Sequence, residues 1–183
     1  ITIADDETAP TVVLSSSAAS IAENAGSSLT LTATLSVATT ENVIVSISTS
    51  GTGTEGTDYG TVADITVEAG QTTGISSFTP SDDLTYEGDE TAIITVSGVS
   101  GGSATESGSQ EVTLTIIEDD SAPTVTLTSN ASSITENAGV SLILTATLSG
   151  KADEDVTVTI STSGAGTEGT DYSTISDITI SAG

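Results

Sequence analysis

The chain has 183 residues, of which 26 are acidic and one, Lys151, is basic, so its formal net charge is −25. Because nucleic acid and anionic lipid are bound through Lys and Arg, this composition excludes a nucleic-acid partner and an anionic membrane surface. The absence of Cys and His removes disulfides, thiolate chemistry and the usual zinc ligands. After these exclusions, small cations that bind the protein or the ions of a salty solvent remain as counterions of the carboxylates.

Four segments alternate apolar and polar residues with a period of two, which is typical of half-buried strands. In chain order they are SLTLTATLS at 28–36, NVIVSIS at 42–48, TAIITVS at 91–97 and EVTLTII at 111–117. High net charge with few aromatics would favour disorder, but this alternation and a hydrophobic content of 35% favour a folded chain. No apolar run approaches the roughly 20 residues of a membrane helix, so no membrane insertion is expected.

The chain contains a long internal repeat. Residues 9–70 and residues 122–183 align at an offset of 113, with 42 identities in 62 positions. The opening ITIADDETAP also matches LTIIEDDSAP at 114–123. A repeat of this length with roughly seven short strands, Gly-rich turns and no helical period predicts an all-β fold, an immunoglobulin-like antiparallel β-sandwich.

The repeat divides the chain into three predicted parts. Residues 1–8 are the last strand and linker of a preceding repeat, 9–120 are one complete repeat, and 121–183 are the first part of another. The last part lacks the counterpart of 71–120, so one apolar face and a strand edge are expected to stay uncovered. Continuation of the polypeptide or strands from another chain would complete it, and we favour continuation.

The acidic residues of the complete repeat cluster in loops that the sandwich can bring to one end. They lie after an apolar bend, in a mid-domain loop, within the segment PSDDLTYEGDET and at the end of the last strand. In chain order they are Glu23, Asp58, Asp82, Asp83, Glu87, Glu90, Glu118, Asp119 and Asp120. Ca²⁺ takes six to eight oxygen ligands and tolerates irregular geometry, whereas Mg²⁺ requires a stricter octahedron. Nine carboxylates exceed the need of one ion, so the sequence predicts two or more Ca²⁺ ions.

The order of these motifs resembles the Calx-β family. ENAG after a short strand, GTDY in a mid-domain loop, DDLTYEGDET before the penultimate strand and IIEDD at the end follow the order of that family. The resemblance implies a two-sheet sandwich with Ca²⁺ at the tip next to the linker. Glu118 stands where the family commonly has a third aspartate. The ligands that the resemblance implies are the nine carboxylates above and the main-chain carbonyl of Thr85.

Each acidic motif also has a simpler interpretation. Asp82, Asp83, Glu87 and Glu90 could form a solvated turn, and Asp58 could cap its loop as an Asx-turn. We interpret Glu55, Asp64 and Glu68 as surface charges. In the second repeat, Glu136 and Asp171 match Glu23 and Asp58, and Asp5, Asp6 and Glu7 would belong to the preceding repeat. Asn130 begins a weak N-glycosylation sequon.

The predicted function is a calcium-binding structural or adhesive module in a tandem array on an extracellular or cell-surface protein. Its partners would be the neighbouring repeats of the same chain, with other copies or a surface ligand as further options. One alternative is a regulatory calcium sensor in a larger transporter or signalling protein. Another is a filament subunit completed by strand exchange. Without His, Cys or Arg the catalytic repertoire is thin, so an enzyme such as a two-carboxylate glycosidase is not expected.

Overall fold

A computed structural model of the chain describes residues 8–136 and 139–183. The predictions made for Asp5, Asp6 and Glu7 lie outside these described residues. Nothing in the described part forms a helix of the length and hydrophobicity that crossing a bilayer requires.

Contacts divide the chain into two units. The described part of the first unit consists of residues 8–83 and 88–119, and the second unit contains residues 84–87 together with the described part of 120–183. The short segment 84–87 joins the second unit because Thr85 and Tyr86 pair with Lys151 and Ala152 in parallel. The predicted domain boundary after residue 120 stays a prediction.

The first unit is built from two sheets. Its strands among the described residues are β1 (Thr11–Ser16), β2 (Ser20–Ala22), β3 (Leu29–Leu35), β4 (Val43–Gly51), β5 (Ile65–Val67), β6 (Thr73–Phe78), β8 (Glu90–Ser100), β9 (Thr105–Glu106) and β10 (Glu111–Ile117). One sheet has the order β6-β3-β1-β9, and the other has the order β2-β10-β8-β4-β5. The predicted all-β sandwich is therefore confirmed.

The alternating sequence pattern determines which residues enter the core. In β3 every second residue, from Leu29 to Leu35, is buried, while the intervening threonines face outward. β3 pairs antiparallel with β1, with Val12 opposite Leu35, and with β6, with Leu29 opposite Phe78. Because side chains alternate between faces, these registers place the apolar residues of neighbouring strands on the same side.

Two aromatic residues lie in the core of the first unit. Tyr59 and Phe78 are buried, and their ring centroids are 4.9 Å apart in a tilted arrangement. Tyr86 is half-buried and belongs to β7 (Thr85–Tyr86), a strand of the second unit.

The second unit repeats the early strands of the first. Besides β7 its strands among the described residues are β11 (Val125–Ser129), β12 (Leu144–Leu148), β13 (Lys151–Ala152), β14 (Val156–Val158) and β15 (Ile178–Ile180). β11 pairs with β12 and β14 pairs with β15 in the registers of β1 with β3 and β4 with β5, shifted by 113 residues. The repeated sequence thus forms the same local strand pairs twice.

Candidate metal centre

Three carboxylates meet beside the ends of β2 and β10. β2 pairs in parallel with β10, and the Glu23 backbone N–H extends this ladder by donating to the Ile117 carbonyl at 2.9 Å. Glu23, Glu118 and Asp119, termed the first carboxylate group, each bring one carboxylate oxygen within 4.8 Å of the others. Glu23 is only 7% exposed, so the pairing of the two strands holds an ionisable group in a largely buried position.

Side-chain hydrogen bonds fix the orientation of this group. The Gly88 N–H donates to Glu118 Oε2 at 2.8 Å, and Asn24 Nδ2 donates to Asp119 Oδ2 at 2.6 Å. The backbone N–H of Glu118 donates to Asp89 Oδ1 at 3.1 Å. Since an ionised carboxylate has about four lone-pair sites, each accepted hydrogen bond leaves capacity for a cation.

Asp58 and Glu90 form a second pair of carboxylates in the first unit. Their oxygens lie within 4.8 Å of each other, and Asp58 is 8% exposed. Asp58 Oδ2 accepts the Thr54 N–H at 2.5 Å, four residues earlier in the loop, whereas an Asx-turn would accept an N–H two residues later. Gly53 lies against this pair, because a Cβ there would be 3.2 Å from Glu90 Oε2. The absence of a side chain at this glycine leaves room for the Glu90 carboxylate.

Both carboxylate sets lie at the same end of one sheet. Glu90 begins β8 and is the cross-strand partner of Ile116, two residues before Glu118. β10 is also flanked by β2, whose end leads into Glu23. Because β10 runs antiparallel to β8 and parallel to β2, the end of β10, the end of β2 and the start of β8 coincide.

The donor chemistry of this end fits a hard divalent cation. Every ionisable ligand atom is a carboxylate oxygen, and the chain contains neither His nor Cys. Two unit negative charges about 4 Å apart repel by about 4 kcal/mol at an effective dielectric constant of about 20. The first repeat contains no basic residue, because Lys151 is the only one in the chain. The carboxylates therefore fit Ca²⁺ far better than Zn²⁺.

The other predicted ligands lie outside these two sets or in the other unit. Asp82 and Asp83 are exposed and belong to no cation-holding group found among the described residues. Thr85 and Glu87 lie in the segment 84–87, and Asp120 follows the last residue of the first unit, so the contacts place all three in the second unit. Their role as ligands stays a prediction, as does that of the residues that do converge.

Two acids that the sequence interpretation treated as surface charges have structural roles. Asp64 Oδ1 accepts the Ile47 N–H at 2.8 Å, next to the irregularity in β4 between Ser46 and Ile47. Glu55 Oε2 accepts the Thr49 hydroxyl at 2.7 Å. The sequence signal for Asp64 was its recurrence as Asp177, 113 residues later. In the structure Asp177 also accepts a backbone N–H.

Asn24 and Asp89 were not predicted to orient the first carboxylate group. No local pattern identifies either contact, since each joins residues far apart in the chain. Asn24 is 95 residues from Asp119, and Asp89 is 29 residues from Glu118. These contacts depend on how the strands pair and not on the sequence of the loops themselves.

The second unit retains part of the site's local geometry. Asp171 Oδ2 accepts the Thr167 N–H at 2.6 Å, which repeats the contact of Asp58 with Thr54. Within the described part of this unit, no set of three acidic residues comes close enough together to hold a metal ion. The interpretation of Glu136 and Asp171 as the counterparts of Glu23 and Asp58 stays a prediction.

The fold and the site define a two-sheet β-sandwich domain whose loops bring carboxylates together at one end. Residues 5–121, and again residues 118–179, match the family described as Calx-beta domain. The chain therefore belongs to the Calx-β family and carries two consecutive matches to it. Membership of this family agrees with the prediction that the chain is not an enzyme.

Three solved structures share the fold of this chain. The apo-form Calx CBD1 domain is 20% identical with a TM-score of 0.50, covering 60% of this chain and 99% of that one. CBD12 from CALX1.2 is 20% identical with a TM-score of 0.52, covering 60% and 44%. The calcium binding domain CBD12 of CALX1.1 is 23% identical with a TM-score of 0.50, covering 69% and 54%.

At these identities the likeness shows the fold alone. The chain spans about half the length of the two CBD12 structures. The comparison with curated proteins found no match.

Proposed function

We propose that the first unit binds Ca²⁺ at the end formed by β2, β8 and β10, and that it acts as a calcium-stiffened structural module in a tandem extracellular array. The observation that carries the proposal is the meeting of Glu23, Glu118 and Asp119 within 4.8 Å, with Glu23 largely buried. The description of a similar structure as a calcium binding domain supports the choice of metal.

The function follows from the position of the carboxylates between strand ends. Glu23 continues β2, and Glu118 and Asp119 continue β10. Without a cation their mutual repulsion pushes these strand ends apart. Bound Ca²⁺ supplies the missing positive charge. The same side chains then hold the strand ends together, and the binding free energy adds to the free energy of unfolding.

We propose an extracellular setting because of the calcium affinity that is common in extracellular modules and the calcium that surrounds them. Calcium sites of extracellular modules commonly have dissociation constants of about 10⁻⁴–10⁻³ M, which the surrounding calcium keeps filled. A net charge of −25 with a single basic residue keeps such an array soluble in that setting. An adhesive role would place a ligand surface on these repeats, with neighbouring repeats or other copies as partners.

Thermal unfolding of the full chain tests the proposed calcium binding. Calcium at about 100 times its dissociation constant adds about 2.7 kcal/mol to the free energy of unfolding. For a unit of this size we expect the melting temperature to rise by about 10 °C over the value in EDTA. Glu118→Gln should remove most of this rise. Glu111→Gln, at the other end of β10, exposed and outside both carboxylate sets, is the matched control.

Equal melting temperatures in calcium and in EDTA would refute the proposal. An equal loss of the calcium effect in both variants would show that the metal acts on overall charge and not at this site.

A regulatory calcium sensor is the second candidate, because a similar structure is described as a calcium binding domain and calcium binding can serve either role. A sensor has to change conformation across a narrow calcium range, whereas a structural module stays saturated. Small-angle scattering of the full chain over a calcium titration separates them. A sensor changes its dimensions at micromolar calcium, while a structural module changes only when chelation empties its sites.

A further inference from the structure

Lys151 is the only basic residue of the chain, and residues 1–150 contain neither Lys nor Arg. Proteases of trypsin-like specificity bind a Lys or Arg side chain through a carboxylate in the pocket beside the scissile bond. The peptide bond between Lys151 and Ala152 is therefore the single bond of this chain that such a protease can recognise. The sequence of the first unit offers these enzymes no cleavage point.

This bond lies in a loop of the kind that proteases cut. Residues 149–155 connect β12 with β14, and the Lys151 side chain is exposed to solvent. Exposed polar connections are preferred sites of proteolytic nicking. From position and side-chain exposure alone, we would expect rapid cleavage after Lys151.

Backbone pairing closes the same loop. β13 pairs in parallel with β7, with Lys151 opposite Thr85 and Ala152 opposite Tyr86. The Asp153 N–H donates to the Tyr86 carbonyl at 3.4 Å. In a parallel ladder the N–H and C=O of one residue are directed at the two residues that flank its partner, so the Tyr86 N–H is directed at the Lys151 carbonyl. β7 thus engages the carbonyl group of the scissile bond.

The equivalent loop of the first repeat has neither feature. At the offset of 113 residues, Ala38 occupies the place of Lys151. Residues 36–42 contain no strand, and no strand pairs with them in the part of the chain that the structure describes. The cleavable residue and the covering strand therefore occur together, in the one of the two loops that a protease can recognise.

We propose that the Lys151–Ala152 bond is a masked cleavage site for a protease of trypsin-like specificity, and that β7 is the mask. Such a protease has to place the Lys151 carbonyl oxygen in its oxyanion hole, where backbone N–H groups bind it. The Tyr86 N–H competes for this oxygen, so cleavage requires that β7 first separates from β13.

The reaction is hydrolysis of one peptide bond by water. The C–N bond breaks, the carbonyl carbon of Lys151 gains the hydroxyl of the water and becomes a carboxylic acid, and the Ala152 nitrogen gains the remaining proton and becomes an amino terminus. The products are residues 1–151, which keep the whole first repeat, and residues 152–183, which carry β14 and β15. The mask therefore controls whether the second unit is cut while the first unit stays intact.

Limited proteolysis of the full chain with trypsin tests the proposal, with mass spectrometry to identify the products. A peptide of residues 146–157 is the unmasked reference, because it has the same Lys and the same acidic neighbours. When closing is faster than cleavage, the rate follows the population of the open form. We expect cleavage after Lys151 to be at least about tenfold slower in the full chain than in the peptide, with a ratio that matches the hydrogen-exchange protection of the Tyr86 amide.

Two variants at one position separate the mask from other causes of slow cleavage. Tyr86→Pro removes the N–H that is directed at the scissile carbonyl, whereas Tyr86→Ala removes the side chain and keeps the N–H. We expect cleavage near the rate of the peptide in Tyr86→Pro and near that of the original chain in Tyr86→Ala. Adding Lys151→Gln to Tyr86→Pro should abolish cleavage. Hydrogen exchange of β3 and β4 checks that the first unit stays folded in each variant.

Cleavage of the original chain as fast as the peptide, or equal rates in the two Tyr86 variants, would overturn the proposal. If Tyr86→Pro unfolds the first unit, the original chain still decides the question, because a cleavage rate that does not follow the protection of the Tyr86 amide excludes β7 as the mask. All rates are measured in EDTA, so the result is independent of the proposed calcium site.

Discussion

Replacing Glu23 by Gln should change stability in opposite directions with and without calcium. Glu23→Gln keeps the size and the acceptor oxygen of the side chain but removes its charge from the first carboxylate group. In EDTA the variant is expected to be more stable than the original chain, because repulsion is relieved. In calcium it loses a charged ligand, so the stabilisation by metal shrinks.

The magnitude follows from the spacing of the group. Two unit charges at 4.8 Å, the upper limit of the spacing here, repel by about 0.9 kcal/mol in bulk water and by about 3.5 kcal/mol at a dielectric constant of about 20. Glu23 is buried, Glu118 is half-buried and Asp119 is exposed, so the screened end of this range applies. Two such pairs give a relief of about 2 kcal/mol in EDTA. A tenfold loss of calcium affinity costs about 1.4 kcal/mol of stabilisation at a fixed calcium concentration well above both dissociation constants.

Chemical denaturation of the full chain in EDTA and in calcium measures both effects. Glu68→Gln is the control, since Glu68 is exposed and lies in neither carboxylate set. The reasoning fails if Glu23→Gln destabilises the protein in EDTA, or if it stabilises no more than the control does.

Three further predictions concern the first unit. Gly51→Ala should lower the free energy of unfolding by more than about 3 kcal/mol, because φ is 125° and the new Cβ would lie 2.1 Å from the Thr91 carbonyl oxygen. Gly70→Ala, with a φ of 79° and open space around the new Cβ, should lower it by about 1 kcal/mol, and equal losses in chemical denaturation would contradict this. Asp64→Ala should cost about 1–3 kcal/mol by leaving the backbone N–H in β4 without its acceptor, while calcium affinity in calorimetry stays unchanged. Asn24→Ala should lower calcium affinity several-fold with a stability loss of about 1 kcal/mol in EDTA; unchanged affinity would remove its orienting role.

The strands of the first unit were predictable from the sequence because their alternation is strict. Residues 29–35 and 111–117 are strands where the pattern places them, and Leu31, Ala33 and Leu114 are buried. Threonine on the outer face leaves no ambiguity about which side enters the core, since β-branched polar residues favour strands and tolerate water.

The convergence of Glu23 with Glu118 and Asp119 was foreseen only in outline. Loops at one end of a sandwich meet whatever their sequence, so the clustering of acids in loops was informative. Which acids meet depends on the order β2-β10-β8, and the sequence does not specify that β2 pairs in parallel with β10. The same limitation applies to Asn24 and Asp89, whose contacts follow from this strand order.

The comparison of the two repeats explains why an alternating sequence alone does not build a core. Leu127 and Leu14 occupy the same place in the repeat and in the same strand pairing, yet only Leu14 is buried. Burial in a sandwich comes from the opposite sheet, which in the first unit contains β8 and β10. The sequence pattern determines which face of the strand points inward, while the partner sheet determines whether that face is buried from solvent.

Calorimetric titration of the full chain with Ca²⁺, beside the double variant Glu23→Gln, Glu118→Gln, tests the central claim most directly. We predict saturable binding to the original chain and a loss of at least one bound ion in the double variant, with its β-sheet circular dichroism retained. Absence of binding to the original chain, or the same stoichiometry and affinity in both proteins, would contradict the assignment of the first carboxylate group as a calcium site.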